Sequence, residues 1–172
     1  MKWYVLKNGK TLTVREADER DAKAITHIID SVAAERIYLD IDRSREDWDE
    51  AIREVRKREG ITIIAETNGK AVGMAHLVKG KYEKNRHVAF LGMSVAKKYR
   101  GRGFGTAMMN YLLEWTEKQR GLEKISLSTF STNLPAMKLY RKFGFKIEGR
   151  SRRQYKICGK YVDEITMGKF LS

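Results

Sequence analysis

From Arg100 to Thr106 the chain reads Arg-Gly-Arg-Gly-Phe-Gly-Thr. Three glycines in five residues let the main chain approach a bound group closely, because no Cβ intervenes and positive φ costs glycine little. A strand-like run, Leu91 to Val95, precedes the turn, and a helical pattern beginning Ala107-Met108-Met109 follows it. The unpaired N–H groups of that helix's first turn would point outward at the positive end of its dipole, so the chemistry on offer is capture of an anion, phosphate above all. Spacing narrows the choice. A Walker-type loop needs Lys-Ser or Lys-Thr directly after its last glycine, and Gly105 is followed by Thr106-Ala107. A dinucleotide fold needs Gly-x-Gly-x-x-Gly, whereas Gly101, Gly103 and Gly105 are evenly spaced. What is left is Arg100-x-x-Gly103-x-Gly105.

A second stretch supplies the context that a glycine turn alone lacks. Asn133-Leu134-Pro135-Ala136-Met137-Lys138-Leu139-Tyr140-Arg141-Lys142-Phe143-Gly144-Phe145 reads as a short helix between two strands, with Pro135 at the first helical position and Gly144 just past the end. Together, in this order, the two stretches resemble the pyrophosphate loop and the later Asn-x-x-Ala-x-x-Leu-Tyr-x-x-x-Gly-Phe signature of the GNAT superfamily of N-acetyltransferases. The likeness runs from about Glu66 to the C-terminus. It implies that Arg100, Gly101, Arg102, Gly103, Phe104, Gly105 and Thr106 hold the diphosphate of acetyl-coenzyme A. It also implies that a backbone N–H near Met93, Ser94 or Val95 polarises the thioester carbonyl, and that Asn133 bonds the cofactor arm or caps its helix.

Acetyl transfer from a thioester to an amine needs a neutral amine, a donor for the tetrahedral oxyanion and a proton or other stabilisation for the departing thiolate. Tyr140 matches the tyrosine many members use as general acid, and a phenol of pKa about 10 carries its proton at neutral pH. The base is less plainly marked. Counting back without gaps puts Ala89 where histone-type members carry a glutamate, so that group is missing. Candidates are His87, two residues earlier on the same strand face, Glu35 in the segment that lines the acceptor site of this fold, or a water chain in place of both.

These groups need a scaffold. Trp3 to Leu6 and Thr11 to Val14 read as a hairpin about Asn8-Gly9, a pair suited to a type I′ turn. A helix from about Asp18 puts Ile25, Ile28, Ile29 and Val32 on one face, and Ser44 is placed to cap a second with Trp48, Ile52 and Val55 inward. Ile61 to Thr67 and Lys70 to Val78 form a second hairpin across Asn68-Gly69, and His87 to Val95 is the strand entering the glycine turn. The helix after the turn ends near Gly121; Lys124 to Phe130 is a strand, and about Phe145 to Cys158 and Tyr161 to Phe170 are the last two, hinged at Gly159. The order predicts an α/β fold: one domain over 1–172, a mixed sheet with helices on both faces. The resemblance adds that the sheet is mostly antiparallel and splayed, the strand before the glycine turn parting from the strand before the second motif so that the pantetheine arm lies between.

Composition sets the outer limits. With 172 residues, 42% hydrophobic and 10% aromatic, the chain can bury a full core. It has no apolar run near eighteen residues, which predicts no membrane span. One cysteine, Cys158, excludes an internal disulfide and suits a reducing, cytoplasmic setting. Histidines 27, 76 and 87 with Cys158 show no paired metal-ligand spacing, so no metal is expected. Two Gln and five Asn are a profile seen in thermophile proteins.

Net charge is +13, and Lys138 to Lys160 hold nine Lys or Arg against the single acid Glu148. Cations near both motifs suit a cofactor with three phosphates. The expected partner is an amine-bearing acceptor, small or proteinaceous; Tyr38-Leu39-Asp40-Ile41-Asp42 brings two acids and an aromatic to where relatives admit it, favouring a cationic amine such as a polyamine, an amino acid or a peptide amino terminus. Homodimerisation is left open. Two other readings stand beside this one: an acyltransferase for an amino-acid analogue of the phosphinothricin type, and a basic nucleic-acid-binding module with a vestigial cofactor site.

Overall fold

A computed structural model of the chain describes residues 1–6, 9, 11–39 and 47–171. β1 (Lys2–Val5) pairs antiparallel with β2 (Thr11–Glu16), Tyr4 opposite Leu12. Asn8 of the expected turn lies outside the described residues; Gly9 has φ +76° and donates its N–H to Leu6 O at 2.9 Å. A single 3-10 turn, Glu19–Asp21, capped by Asp18, leads into α1 (Ala22–Ala33), which buries Ile25, Ile28, Ile29 and Val32 as its periodicity demands.

The second helix departs from expectation at its start. α2 (Trp48–Lys57) is capped by Asp47, whose side chain accepts from Asp49 N–H, and Ser44 lies outside the described residues. Ser and Asp are near-equal caps, so composition alone does not choose between two of them three residues apart.

β3 (Ile61–Thr67) and β4 (Lys70–Lys79) turn at Asn68 and Gly69, both at positive φ as a type I′ turn requires. β5 (Val88–Val95) runs into the glycine turn and α3 (Phe104–Thr116), which stops short of Gly121. β6 (Lys124–Phe130), α4 (Leu134–Lys142), β7 (Lys146–Ile157) and β8 (Lys160–Phe170) follow. Pro135 is the second helical residue, not the first. Gly144, at φ +85°, ends α4 with Gly144 N–H on Arg141 O and Phe145 N–H on Tyr140 O.

The sheet order is β1-β2-β3-β4-β5-β6-β8-β7, antiparallel throughout except for β5 beside β6. α1 and α2 cover one face, where Ile25, Ile28, Trp48 and Ile52 pack on Ile64 and Met74. α3 and α4 cover the other, where Phe104, Met108, Leu112 and Met137 pack on Ile63, Leu77, Ile125 and Met167. With both faces covered, β3 and β4 read as nearly continuous apolar runs. β5 and β6 pair at three positions, Val88 with Lys124, Ala89 with Ile125 and Phe90 with Ser126, and then part. The gap opens toward the glycine turn.

Candidate functional site

The turn is built to leave its amides unspent. After β5, Ala96 N–H returns to Val72 O, and one 3-10 turn, Lys97–Tyr99, brings the chain round. Gly101 at φ +70° and Gly103 at φ +97° then hold the left-handed conformations that aim successive N–H groups to one side. Gly103 N-caps α3 without a side-chain bond, and the first helical bond is Ala107 N–H to Gly103 O at 2.9 Å. Among the described residues the N–H groups from Gly101 to Thr106 have no main-chain acceptor. Unspent donors at the positive end of a 13-residue helix are suited to an anion and make the turn a candidate anion site. Gly105 serves a different end: a Cβ there would stand 2.9 Å from Leu139 Cδ2, so its absence lets α4 lie close to α3. Tyr99 packs edge-on against Phe104, centroids 5.7 Å apart, and Lys97, Lys98 and Arg102 stand exposed around the turn.

Strand register decides which main-chain groups face the gap. Gly80 N–H donates to Val88 O and Ala96 N–H to Val72 O, so even-numbered residues of β5 direct their polar groups to β4 and odd-numbered ones toward β6. β6 has parted by this level, which leaves Met93 and the Val95 N–H facing open space, whereas Ser94 is turned to β4 and is buried. Lys124 N–H bonds His87 O, so Ser128 and Phe130 present their main chain from the opposite wall. A slot edged by free N–H and C=O groups therefore leads up to the anion site.

Asn133 and Tyr140 sit on the far wall. Asn133 Oδ1 accepts from Ala136 N–H at 3.3 Å and so caps α4. Tyr140 is buried, its ring 5.8 Å from Phe145 by centroids, and burial pushes its phenol up to about 12. No hydrogen bond of its hydroxyl is found among the described residues. The hydroxyl is not among the buried polar atoms left without a partner, so it keeps contact with solvent although the ring is buried, and it is free to donate to an entering group.

The three base candidates fall in different places. Glu35 follows the end of α1 and forms a bidentate pair with Arg100, Nη2 to Oε1 at 2.6 Å and Nη1 to Oε2 at 3.0 Å. Glu35 and Arg100, expected in separate roles, are thus partners. His87 is exposed and precedes β5; its carbonyl accepts from Glu123 and Lys124. Six residues of strand, roughly 20 Å, separate it from Met93. Ala89 is fully buried in the core under α3. Asp40, Ile41 and Asp42 lie outside the described residues.

One group was passed over in the sequence. His76, half-buried on β4, stands opposite Gly92, where a Cβ would come within 2.6 Å of its Nε2. Its Nδ1 is sealed from solvent without a partner, its ring centroid is 6.3 Å from that of Trp48, and burial lowers its pKa to about 4. The signal was the pairing of a histidine with a glycine across two strands, legible only once their register is known. A surface cleft of about 420 Å³ between the starts of α1 and α2 is lined by Trp48, the ring neighbour of His76, and by no residue of the glycine turn or of α4. Among the described residues no three His, Cys, Asp or Glu gather as metal ligands, and no helix is long and apolar enough to cross a membrane.

Comparison with known proteins bears on the family and on the fold. The model of the acetyltransferase (GNAT) family matches residues 23–145. The L-amino acid N-acetyltransferase AaaT of Escherichia coli is 29% identical over 163 residues, 92% of this chain and 97% of that one. The spermidine N(1)-acetyltransferase of Vibrio cholerae is 27% identical over 157 residues, 88% of each chain. Among solved structures, an acetyltransferase of the GNAT family from Streptococcus pneumoniae superposes with a TM-score of 0.85 at 28% identity, covering 93% of this chain and 99% of its own.

Proposed function

The chain belongs to the GNAT acetyltransferase family, and on that footing we propose that it transfers the acetyl group of acetyl-coenzyme A to a primary amine within a ternary complex. The observation that carries this reading is the run of unspent N–H groups from Gly101 to Thr106, set at the head of a slot edged by the main chain of Met93 and the Val95 N–H. The diphosphate fits the nest and the pantetheine arm fits the slot, where a substrate amide can bond both walls as a strand would.

The amine nitrogen attacks the thioester carbon, the new C–N bond forms, and the carbonyl electrons collect on oxygen opposite an N–H of Met93 or Val95. As the C–S bond breaks, its electrons go to sulfur and Tyr140 supplies the proton. The proton lost by the amine leaves through water or a side chain of the α1–α2 face. A backbone oxyanion donor explains why the side chains at 93 and 95 carry no special chemistry.

An amino acid is the first acceptor to test, because the relative acting on L-amino acids aligns over nearly the full length of both chains. Polyamines come second, supported by the spermidine-acetylating relative and by Asp40 and Asp42 in the acceptor segment. The exposed, unpaired Cys158 fits the reducing cytoplasm in which we place the enzyme. The test is thiol release from acetyl-coenzyme A across a panel of L-amino acids, phosphinothricin and polyamines. Turnover with at least one amine is expected; cofactor binding without turnover on any of them would reject the reading.

A further inference from the structure

Arg100 occupies the first position of the glycine-loop pattern, where a guanidinium invites assignment as a phosphate ligand. Its donors are engaged elsewhere. Nε donates to Val95 O at 2.8 Å, Nη1 and Nη2 grip the two oxygens of Glu35, and Tyr38 lies beneath the guanidinium, 4.5 Å from Cζ to ring centroid. Glu35 in turn stands where local physics disfavours it. The negative end of the α1 dipole repels a carboxylate, and the next residue, Arg36, has φ +55°, a conformation that costs a non-glycine residue. Two unfavourable choices in succession need compensation from outside the segment, and the two-pronged Arg100 bond, with Glu35 only 13% exposed in its side chain, supplies it.

We propose that Glu35, Arg100 and Tyr38 form a clasp that fixes the acceptor-side segment after α1 to the end of β5, and that neither Glu35 as base nor Arg100 as phosphate ligand takes part in the chemistry. This rests on the acetyl-transfer reading. Phosphate is then held by the main chain of 101–106 with Lys97, Lys98 or Arg102, and the clasp is a positioning device for the amine. It also withdraws the Val95 carbonyl from the slot, so that Val95 turns its N–H alone toward it while Met93 turns both main-chain groups.

The clasp makes its two ends behave alike. Arg100→Gln and Glu35→Gln should each raise the amine KM about tenfold, leave kcat within about threefold, and leave the acetyl-coenzyme A Kd within about twofold by calorimetry. The kcat pH profile of Glu35→Gln should keep its acid limb. The swapped pair Glu35→Arg with Arg100→Glu should recover part of the lost KM, and Arg100→Lys, which keeps the charge but not the fork, should resemble Arg100→Gln. Deuterium uptake at 34–39 should rise in both single variants, a readout that needs no acceptor and serves if an activity assay fails. A tenfold loss of acetyl-coenzyme A affinity in Arg100→Gln alone would make Arg100 a phosphate ligand; loss of the acid limb in Glu35→Gln would make Glu35 the base. Either overturns the clasp, as does unchanged uptake at 34–39. Failure of the unaltered protein to bind acetyl-coenzyme A would instead strike the proposed function, and the uptake comparison would still decide the clasp.

Discussion

Burial pushes the Tyr140 phenol up to about 12 and the His76 imidazole down to about 4, so near neutrality the first keeps its proton and the second carries none. For Tyr140, proposed as the general acid, the expected consequence is catalytic. Tyr140→Phe should lower kcat about a hundredfold while acetyl-coenzyme A affinity stays within about twofold, and the native kcat should show no alkaline fall attributable to this group below about pH 11. Stopped-assay profiles across pH check both. For His76 the consequence is stability. Its pKa is depressed on folding, so above the unfolded value of 6.5 it contributes nothing; as pH falls from 6.5 toward 4 the unfolded chain takes the proton first and stability is lost. By pH 5 the loss is about 2 kcal/mol, and His76→Gln should remove it. Urea midpoints at pH 7.5 and 5, compared between the two proteins, measure this directly. Tyr140 was legible from a run of neighbours in sequence, whereas His76 was not, because its distinguishing partner, Gly92, becomes a neighbour only through the β4–β5 register.

At the scale of elements, the local signals were mostly sufficient. Asn68-Gly69, Gly144 and the periodicity of α1 each carry a single-residue reason for the structure found. The misses have physical causes too: α3 ends at Thr116 because the chain then tightens into i→i+3 turns, Lys118 N–H on Trp115 O and Gln119 N–H on Thr116 O, and the cap of α2 lay between two equivalent candidates. Sequence could not tell Met93 and Val95 from Ser94, since parity along a strand depends on which neighbour claims the even residues. The β5–turn–α3 unit allows a controlled test of the nest. Gly103 and Gly69 both sit at positive φ, and a Cβ meets only Leu6 Cδ2 at 3.4 Å in the first and open space in the second. Gly103→Ala and Gly69→Ala should therefore each cost about 1 kcal/mol in urea unfolding. Only Gly103→Ala should also weaken acetyl-coenzyme A, by about tenfold, because only there does the shifted backbone misaim donors.

For the molecule as a whole, element order gave the mixed sheet with helices on both faces, but the parting of β5 and β6 was inferred from the resemblance, because no residue pattern marks where a parallel pair stops. Charge behaves in the opposite way: +13 is plain in the sequence, while its meaning depends on where the cations stand. Some are neutralised locally, Lys124 with Glu148 at 2.7 Å and Arg150 with Asp163 at 2.6 Å. Lys97, Lys98 and Arg102 remain exposed at the glycine turn beside the unspent amides, where they attract a polyphosphate before contact. The association rate of acetyl-coenzyme A should then fall several-fold as salt rises from about 20 to about 300 mM, with a smaller change in dissociation, since screening acts on the approach more than on buried main-chain bonds. Stopped-flow binding separates the two rates. A module whose basic face serves nucleic acid would instead hold a short RNA duplex with a steep salt slope and leave acetyl-coenzyme A association indifferent to salt. The clustering of exposed cations at the nest, beside helix-end amides that no main-chain acceptor among the described residues has claimed, favours the first result.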